Sequence, residues 1–223
     1  MTFDYIVLGQ GISGTFLSYY LLKGGKSVLV IDAQQQYIAS KVASGVINPV
    51  TGRRIVKTWL IDELLPFTWN AYSEIGNLLN ASLIRQCNVL DFHPTPQMQE
   101  AFTSRLSEDA SFLHIPENQA FWQEFFRFNY GIGEINPCWL IDLQTLLQSW
   151  RQYLIQQNAL LEDYFDWTQC EITKENIVYK GISANKILCC EGAAGTHNPY
   201  FQLLPFALNK GEAVLAQDRK SVV

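Results

Sequence analysis

Three glycines follow directly on the first apolar run of the chain. Residues 5–16 read YIVLGQGISGTF, which places Gly9, Gly11 and Gly14 in the pattern GxGxxG. The residues before them, 3–8, are mostly aromatic or aliphatic, as in a strand that is buried on both faces. Because side chains are missing at three positions of one short turn, the pattern predicts that another group approaches this backbone closely.

A helix and a second strand are predicted directly after the glycines. Residues 12–23 carry apolar side chains at helical spacing, and Gly24-Gly25 supplies the stop signal that commonly follows a helix. Residues 27–32, SVLVID, predict another buried strand. Strand, helix and strand in this order form a βαβ unit with a right-handed crossover between parallel strands. The start of the chain therefore predicts an α/β, Rossmann-like fold.

The three glycines have separate physical roles in such a loop. Gly9 permits a tight turn out of the strand, Gly11 allows a pyrophosphate to approach the backbone, and Gly14 lets the helix pack closely on the strand. The first helical residues, Ile12 and Ser13, then offer amide N–H groups and the positive end of the helix dipole to that anion. The loop predicts a dinucleotide site. A glycine-rich turn without a ligand is the alternative.

An acidic residue closes the second strand. In a fold of this kind, the carboxylate of Asp32 accepts hydrogen bonds from the hydroxyl groups of an adenosine ribose. A negative charge at this position repels a 2′-phosphate, which disfavours NADP as the ligand. Asp32 and the following Ala33 therefore belong to the predicted cofactor site.

The remaining chain departs from a regular alternation of strands and helices. After the second strand we expect a loop of small and polar residues, where a doubly wound domain would continue with a helix. The pattern of apolar residues predicts the later elements in this order: a helix over 56–79, a strand over 83–92, a helix over 96–107, strands over 120–136, a helix over 140–156, a strand segment around 164–167, a hairpin turning at Glu175-Asn176, a strand over 185–195 and a strand or half-hairpin over 206–217.

Four segments, in this order, resemble the FAD-dependent oxidoreductases of the D-amino-acid oxidase and glycine oxidase type, the DAO family. They are YIVLGQGISG, the strand end at Asp32, the loop ASGVINP, and KILCCEGAAG followed by LPFALNKGEAVL. The first motif is shared with many nucleotide-binding proteins, so the order and spacing of all four carry the resemblance. It implies a Rossmann-like FAD-binding domain with an inserted, partly β substrate domain.

The resemblance also implies domain boundaries and a cofactor. It places an FAD-binding domain over 1–57 and 138–204, and a partial substrate domain over 58–137 and 205–217. The loop after the second strand would follow the ribityl chain and the ring of FAD, and strand 185–195 would return to the same sheet beside the pyrophosphate. The further cofactor residues implied in this way are Ser44, Gly45, Val46, Ile47, Asn48, Phe165, Gly192 and Ala193.

The function that the resemblance implies is oxidation of the C–N bond of an amine or amino acid by hydride transfer to FAD. The catalytic residues stay unassigned. One alternative is an NAD-dependent dehydrogenase, and another is a non-catalytic dinucleotide-binding module. The adjacent Cys189 and Cys190 are interpreted as structural, because neighbouring residues of a buried strand point to opposite faces.

Composition narrows the class of protein further. The net charge of −5 disfavours nucleic acid as a partner, and no apolar stretch is long enough to span a membrane. Five cysteines without CxxC spacing and three scattered histidines predict reduced thiols, a cytoplasmic location and no metal site. The expected partner is a small amine or amino-acid substrate, and the sequence leaves the oligomeric state open.

The C-terminus departs from the family pattern. Relatives continue through the rest of the substrate sheet, so we expect the fold to be incomplete at the C-terminus and the chain to bind FAD poorly and to be inactive alone. The last residues, DRKSVV, lack an apolar period and match the translation of a sequencing adapter. We therefore expect residues 218–223 to be a non-native tail.

Overall fold

The fold is that of a computed structural model, which describes residues 1–52 and 54–211. Strands occupy, in chain order, β1 Thr2–Leu8, β2 Val28–Ile31, β3 Val46–Ile47, β4 Val50–Thr51, β5 Val56–Lys57, β6 Ile84–Gln86, β7 Val89–Phe92, β8 Leu113–His114, β9 Ile132–Ile135, β10 Trp139–Ile141, β11 Leu160–Leu161, β12 Cys170–Ile172, β13 Ile177–Tyr179 and β14 Ile182–Cys189. The α-helices are α1 Ile12–Lys23, α2 Ala39–Val42, α3 Ile61–Leu79, α4 Pro96–Glu108, α5 Gln119–Gln123 and α6 Leu143–Gln156, and 3₁₀-helices cover Trp167–Gln169 and Gly192–His197.

The chain divides into two compact units. Unit 1 consists of Met1–Ser44 together with the chain from Leu143 on, and unit 2 consists of Gly45–Asp142. The division is one of packing alone. The assignment of an FAD-binding domain to 1–57 and 138–204, and of a substrate domain to 58–137 and 205–217, stays a prediction.

Unit 1 is an α/β structure built on a six-stranded sheet with the order β11-β2-β1-β14-β13-β12. The first four strands are parallel, and β13 and β12 add an antiparallel hairpin. Strand β1 lies in the middle, where Leu8 pairs with Ile31 of β2 and with Cys189 of β14. The predicted βαβ unit and the predicted return of the late strand to the same sheet are confirmed.

The side chains of β1 point alternately to the two faces of this sheet. Ile6 and Leu8 belong to a buried apolar cluster that also includes Leu29, Ile31 and Tyr179. Helix α1 contacts β1, β2 and α6, and the indole N–H of Trp150 in α6 donates to Ser18 Oγ in α1 at 2.9 Å. The last three residues of β1 and all four of β2 are buried, which explains why these two strands read as continuous apolar runs.

Three elements of unit 1 differ from the prediction. The strand predicted over 185–195 covers Ile182–Cys189, and a 3₁₀-helix follows over Gly192–His197. No strand forms at 164–167: the strand is Leu160–Leu161, and a 3₁₀-helix follows at Trp167–Gln169, where Asp166 accepts a hydrogen bond from the Thr168 amide at 2.9 Å. The helix predicted over 140–156 begins at Leu143, because the preceding residues pair with other strands as β10. The pairing of β11 with β2, and of β10 with β3 and β6, depends on partners that are distant in sequence, whereas the Asp166 cap is local.

Unit 2 contains three small antiparallel sheets and three helices. The strand orders are β3-β10-β6, β4-β5 and β7-β9-β8. Helices α3, α4 and α5 accompany them. One apolar cluster in the core of the unit contains Val50, Ile55, Ile61, Leu65, Phe102, Phe112, Leu113, Ile135 and Cys138.

Helix α3 and the strand that follows it differ from their predicted extents. The helix predicted over 56–79 starts only at Ile61, because Val56–Lys57 pairs with β4 and Leu60 takes a left-handed conformation with φ +54°. The strand predicted over 83–92 is split into β6 and β7, which belong to different sheets. Apolar periodicity alone does not show where one short strand ends and the next begins.

The region predicted to form strands over 120–136 begins with a helix instead. Gln119–Gln123 forms α5, and the side chain of Asn118 caps it by accepting from the Phe121 amide at 3.1 Å. Only Ile132–Ile135 forms a strand within this region. The loop expected after β2 likewise contains the one-turn helix α2 and two short strands.

Part of the C-terminal prediction lies outside the described residues. Residues 205–211 have no regular secondary structure. The rest of the strand predicted over 206–217, and the tail 218–223, fall beyond Gly211. Within the described ranges, none of the helices is both long enough and apolar enough to cross a lipid bilayer.

Helix α1 packs most tightly at Gly14, where a side chain should destabilise the fold. A Cβ atom added at Gly14 would lie 1.9 Å from the carbonyl oxygen of Gly9, whereas one added at Gly25 meets nothing within 4 Å. We expect Gly14→Ala to lower the free energy of unfolding by about 3 kcal/mol or more through overpacking against backbone. Gly25→Ala, which is strained only by its φ of +71°, is expected to cost about 1 kcal/mol. Urea denaturation measures both, and equal costs would contradict the packing argument.

Candidate functional site

The carboxyl ends of three neighbouring parallel strands converge at one edge of the unit 1 sheet. The Gly9 amide donates to the Ile31 carbonyl oxygen at 2.9 Å, and the Cys190 amide donates to the Leu8 carbonyl oxygen at 2.8 Å. The loops that follow β1, β2 and β14 therefore begin side by side. In open α/β sheets, ligands bind outside the carboxyl ends of the strands, where connections leave a strand in opposite directions. Strand β1, with β2 on one side and β14 on the other, occupies that place.

Close contacts explain why each position of the motif is occupied by glycine. Gly9 has φ +89°, and a Cβ there would lie 2.5 Å from the Cys190 carbonyl oxygen. Gly14 lets the helix rest directly on the Gly9 backbone. At Gly11 the nearest atom to an added Cβ is Ser40 Oγ, at 2.9 Å. Gly9 and Gly14 thus face backbone, while Gly11 faces the hydroxyl of a one-turn helix.

The head of helix α1 presents amide groups at this edge. Gly11 is the N-cap residue and contributes no side-chain cap. The Ile12 amide donates to Ser40 Oγ at 3.0 Å, and the amides of Ser13 and Gly14 have no acceptor within the helix, because the first turn of any helix lacks one. Ser13 is exposed. Amides of this kind, at the positive end of a helix dipole, form an anion site.

Asp32 lies beside this turn and is already hydrogen-bonded by the protein. Its Oδ2 accepts from the Gln10 amide at 2.9 Å, and its Oδ1 accepts from the Gln34 amide at 2.8 Å and from Arg151 Nη1 at 2.8 Å. A carboxylate has about four acceptor positions, so one position on Oδ2 stays open. The neighbouring Ala33 is exposed.

The loop after β14 forms another side of this edge. Glu191 is held by two side chains, since Oε1 accepts from Trp167 Nε1 at 3.3 Å and Oε2 accepts from Asn198 Nδ2 at 2.8 Å. Gly192 has φ +58° and open space where a Cβ would stand, and Ala193 is exposed. Glu191 therefore anchors the loop, and the small residues after it leave the sheet edge accessible.

Known proteins resemble this chain in both sequence and fold. The family model "FAD dependent oxidoreductase", DAO, matches residues 4–220. The chain belongs to this family. FAD is the cofactor on which the DAO family depends, and the predicted resemblance is confirmed.

Solved structures of similar fold include three oxidases. Iminodiacetate oxidase from Chelativorans sp. BNC1 has 17% identity and a TM-score of 0.61, with 86% of this chain and 56% of that chain covered. Glycine oxidase from Bacillus cereus ATCC 14579 has 13% identity and a TM-score of 0.62, covering 89% and 58%. L-α-Glycerophosphate oxidase from Mycoplasma pneumoniae, solved with FAD bound, has 15% identity and a TM-score of 0.57, covering 90% and 56%. This DAO-family chain thus spans little more than half the length of these proteins.

The described residues fit the adenosine diphosphate half of FAD. The head of α1 supplies amides for the diphosphate, and Gly11 has only a movable hydroxyl in front of it. Asp32 keeps one acceptor position on Oδ2 for a ribose hydroxyl. These features belong to unit 1, and none of them requires a shift of backbone.

Phe165 has a mainly structural environment. Its ring stacks on Tyr179 at a centroid distance of 4.2 Å and meets Trp167 edge-on at 4.9 Å. The side chain thus belongs to the apolar cluster under the sheet. The predicted contact of its backbone with adenine stays a prediction.

The cofactor-binding residues predicted in the loop after β2 are divided between the two units. Ser44 ends unit 1 and is exposed. In unit 2, Gly45 has φ +76° and a Cβ there would lie 2.3 Å from the Ile141 carbonyl oxygen, so the packing of β10 alone requires glycine. Val46 and Ile47 form the edge strand β3, and Asn48 Oδ1 accepts from the Val50 amide at 3.0 Å. Their contact with FAD stays a prediction.

Three residues at this edge are missing from the sequence-based site. Ser40 bonds the first amide of α1, Arg151 bonds Asp32, and buried Gln10 donates from Nε2 to the Leu147 carbonyl oxygen at 2.9 Å. A signal for Arg151 exists, because it is the one charged residue of LQTLLQSWRQYLIQ and lies on the buried face of that helix. Among the described residues, no group of three or more His, Cys, Asp or Glu side chains is arranged to hold a metal ion.

The two adjacent cysteines are shielded at this edge. Burial raises the pKa of the Cys189 thiol to about 11, and the negative charge of Glu191 acts in the same direction. Burial likewise raises the pKa of Cys190. Both thiols are therefore protonated at neutral pH, and a protonated thiol is a poor nucleophile.

The raised pKa predicts slow chemistry at Cys189. Relative to the ordinary thiol value of 9.0, a pKa of about 11 lowers the thiolate fraction at pH 8 by about 100-fold. We expect iodoacetamide to label Cys189 about 100-fold more slowly in the folded chain than in guanidinium-denatured chain, as followed by peptide mass spectrometry. Labelling at the same rate in both states would contradict the raised pKa and would be consistent with a redox role for the two cysteines.

Proposed function

We propose that unit 1 binds the adenosine diphosphate half of FAD at the carboxyl edge of its sheet. The observation that carries this proposal is the open head of α1, next to an aspartate that has one acceptor position left, in a chain whose family match spans residues 4–220. The diphosphate would accept from the amides of Ser13 and Gly14, and from that of Ile12 in place of Ser40 Oγ, with Gly11 leaving room for it. The ribose would donate a hydroxyl to Asp32.

Further contacts of the cofactor are proposed on the family resemblance. The small residues Gly192 and Ala193 would border the diphosphate, and backbone groups near Phe165 would border the adenine. The segment Ser44, Gly45, Val46, Ile47 and Asn48 would follow the ribityl chain and the ring. The edge position of β3 supports this proposal, since an edge strand has backbone groups that its own sheet does not use.

The reaction that we propose for the whole protein is oxidation of a C–N bond in a small amine or amino acid. FAD, when bound, would supply the electron acceptor for a hydride from the carbon next to nitrogen. The chain's residues hold and orient the cofactor, and we assign no catalytic residue among them. Two proteins of similar fold, iminodiacetate oxidase and glycine oxidase, support an amine substrate class.

Binding of ADP tests the proposed half-site directly. ADP contains the adenosine and the diphosphate without the flavin, so it probes the residues of unit 1 alone. We expect Gly11→Leu to weaken ADP binding by at least about tenfold, because each hydrogen bond to a charged phosphate that the leucine blocks contributes roughly 1.5 kcal/mol. Isothermal titration calorimetry of the chain measures the affinity.

The matched control for that experiment lies at the other end of the same helix. Gly24→Leu adds the same side chain at the C-terminal end of the helix, away from the glycine motif. A Cβ added there would lie 3.3 Å and 3.4 Å from the backbone oxygens of Tyr20 and Leu21. We expect it to leave ADP affinity within about twofold of wild type, since it touches no proposed contact. An unchanged affinity in Gly11→Leu would refute the diphosphate site.

The visible spectrum tests the reaction class. Protein purified from its native source is expected to be yellow, with flavin absorbance near roughly 450 nm that bleaches when an amine or amino acid is added without oxygen. A colourless protein that binds NAD would instead support a dehydrogenase. A colourless protein without nucleotide affinity would support a non-catalytic module.

A further inference from the structure

Arg151 is a buried cation to which the proposed FAD site assigns no contact with the cofactor. It lies on α6 among Leu147, Trp150 and Leu154, and its side chain is only 7% exposed. Arginine is rarely buried unless it is paired, because removing its charge from water is costly. A guanidinium buried in the apolar stripe of a helix therefore requires hydrogen-bond partners that compensate for the lost hydration.

The contacts of Arg151 all go to the carboxyl edge of the sheet. Nη1 donates to Asp32 Oδ1 at 2.8 Å and to Gln10 Oε1 at 3.3 Å. Nη2 and Nε both donate to Glu162 Oε1, at 2.6 and 3.2 Å, just after β11. One planar group thus joins the loop after β1, the end of β2 and the end of β11.

This arrangement fixes the rotation of the Asp32 carboxylate. Arg151 and the Gln34 amide occupy Oδ1, while the Gln10 amide occupies one position on Oδ2. Without the guanidinium, Oδ1 and Oδ2 would each keep one backbone donor and one open acceptor position, so either oxygen could accept a ligand hydroxyl. With it, Oδ2 alone retains an acceptor position, which points to a defined hydrogen bond with a ligand.

We propose that Arg151 is a positioning residue that holds Asp32 so that Oδ2 accepts one specific hydroxyl of the adenosine ribose. The inference rests on the proposed FAD site and adds to it the group that sets its ribose selectivity. It also accounts for the buried charge. A guanidinium offers a rigid fork of donors, so it can bridge two carboxylates in a way that a flexible ammonium cannot.

The consequence is selectivity between ribose hydroxyls. The wild-type chain should bind ADP more tightly than one of the two analogues 2′-deoxy-ADP and 3′-deoxy-ADP, by about tenfold for a lost hydrogen bond to a charged acceptor. The other analogue should bind like ADP. The ratio of affinities for ADP and the discriminated analogue is the quantity to follow.

The experiment measures this ratio by calorimetry in wild type and in Arg151→Met. We expect the ratio to fall from about tenfold to below about twofold in Arg151→Met, since Oδ1 then also has an open acceptor position for a ribose hydroxyl. A merely structural role would weaken all three nucleotides by a common factor and leave the ratio intact. If far-UV circular dichroism shows that Arg151→Met does not fold, Arg151→Lys carries the same test, because it keeps the charge but not the fork.

Leu154→Ala is the matched control. Leu154 lies one turn further along the same buried face of α6 and is fully buried, without a hydrogen bond to the edge. The variant should lose stability but keep the affinity ratio of wild type. A ratio that stays near tenfold in the Arg151 variant would overturn the assignment and leave the proposed FAD site standing.

The behaviour of wild type separates the two proposals. A wild-type chain that binds ADP but does not discriminate against either deoxy analogue overturns the proposed roles of Asp32 and Arg151. A wild-type chain that does not bind ADP at all overturns the proposed function, and this inference with it.

Discussion

Direct contact between backbone segments at the head of helix α1 is the constraint on which unit 1 depends. The helix rests on the turn that leaves β1, with an added Cβ at Gly14 coming within 1.9 Å of Gly9, and that turn rests in turn on the backbone after β14, with 2.5 Å between an added Cβ at Gly9 and the Cys190 oxygen. Side chains at either glycine would separate these segments. Because they touch, the ends of β1, β2 and β14 meet at one edge, and the amides of α1 face the same edge.

The charges at that edge are few, and each of them is hydrogen-bonded. Asp32 and Glu162 share the guanidinium of Arg151, while Glu191 is held by the neutral side chains of Trp167 and Asn198. Buried ion pairs often add little to stability, because the loss of hydration offsets their attraction. Their value at this edge is geometric: they hold acceptor groups in set directions next to a helix end that attracts an anion.

Sequence patterns were informative where the structure depends on neighbours in the chain. Helix α1 has the predicted bounds, 12–23, because its glycine stop signal and apolar spacing are local. The later elements were less predictable: Trp139–Ile141 joins a strand pair instead of helix α6, and the residues over 83–92 divide between two sheets. Their pairing partners lie up to about ninety residues away in the chain, as for Ile47 and Trp139, and local propensity carries no information on such partners.

The sequence by itself determined the βαβ start, the glycine turn, the acidic end of β2 and the family, since each is encoded by spacing within a short segment. Tertiary structure alone decided which of those groups are free to bind. It brought Arg151 from a helix more than a hundred residues away onto Asp32, placed Ser40 on the first amide of α1, and left a single acceptor position on the carboxylate. A hydrogen bond between distant segments depends on where the fold brings them, and no spacing in the sequence records that distance.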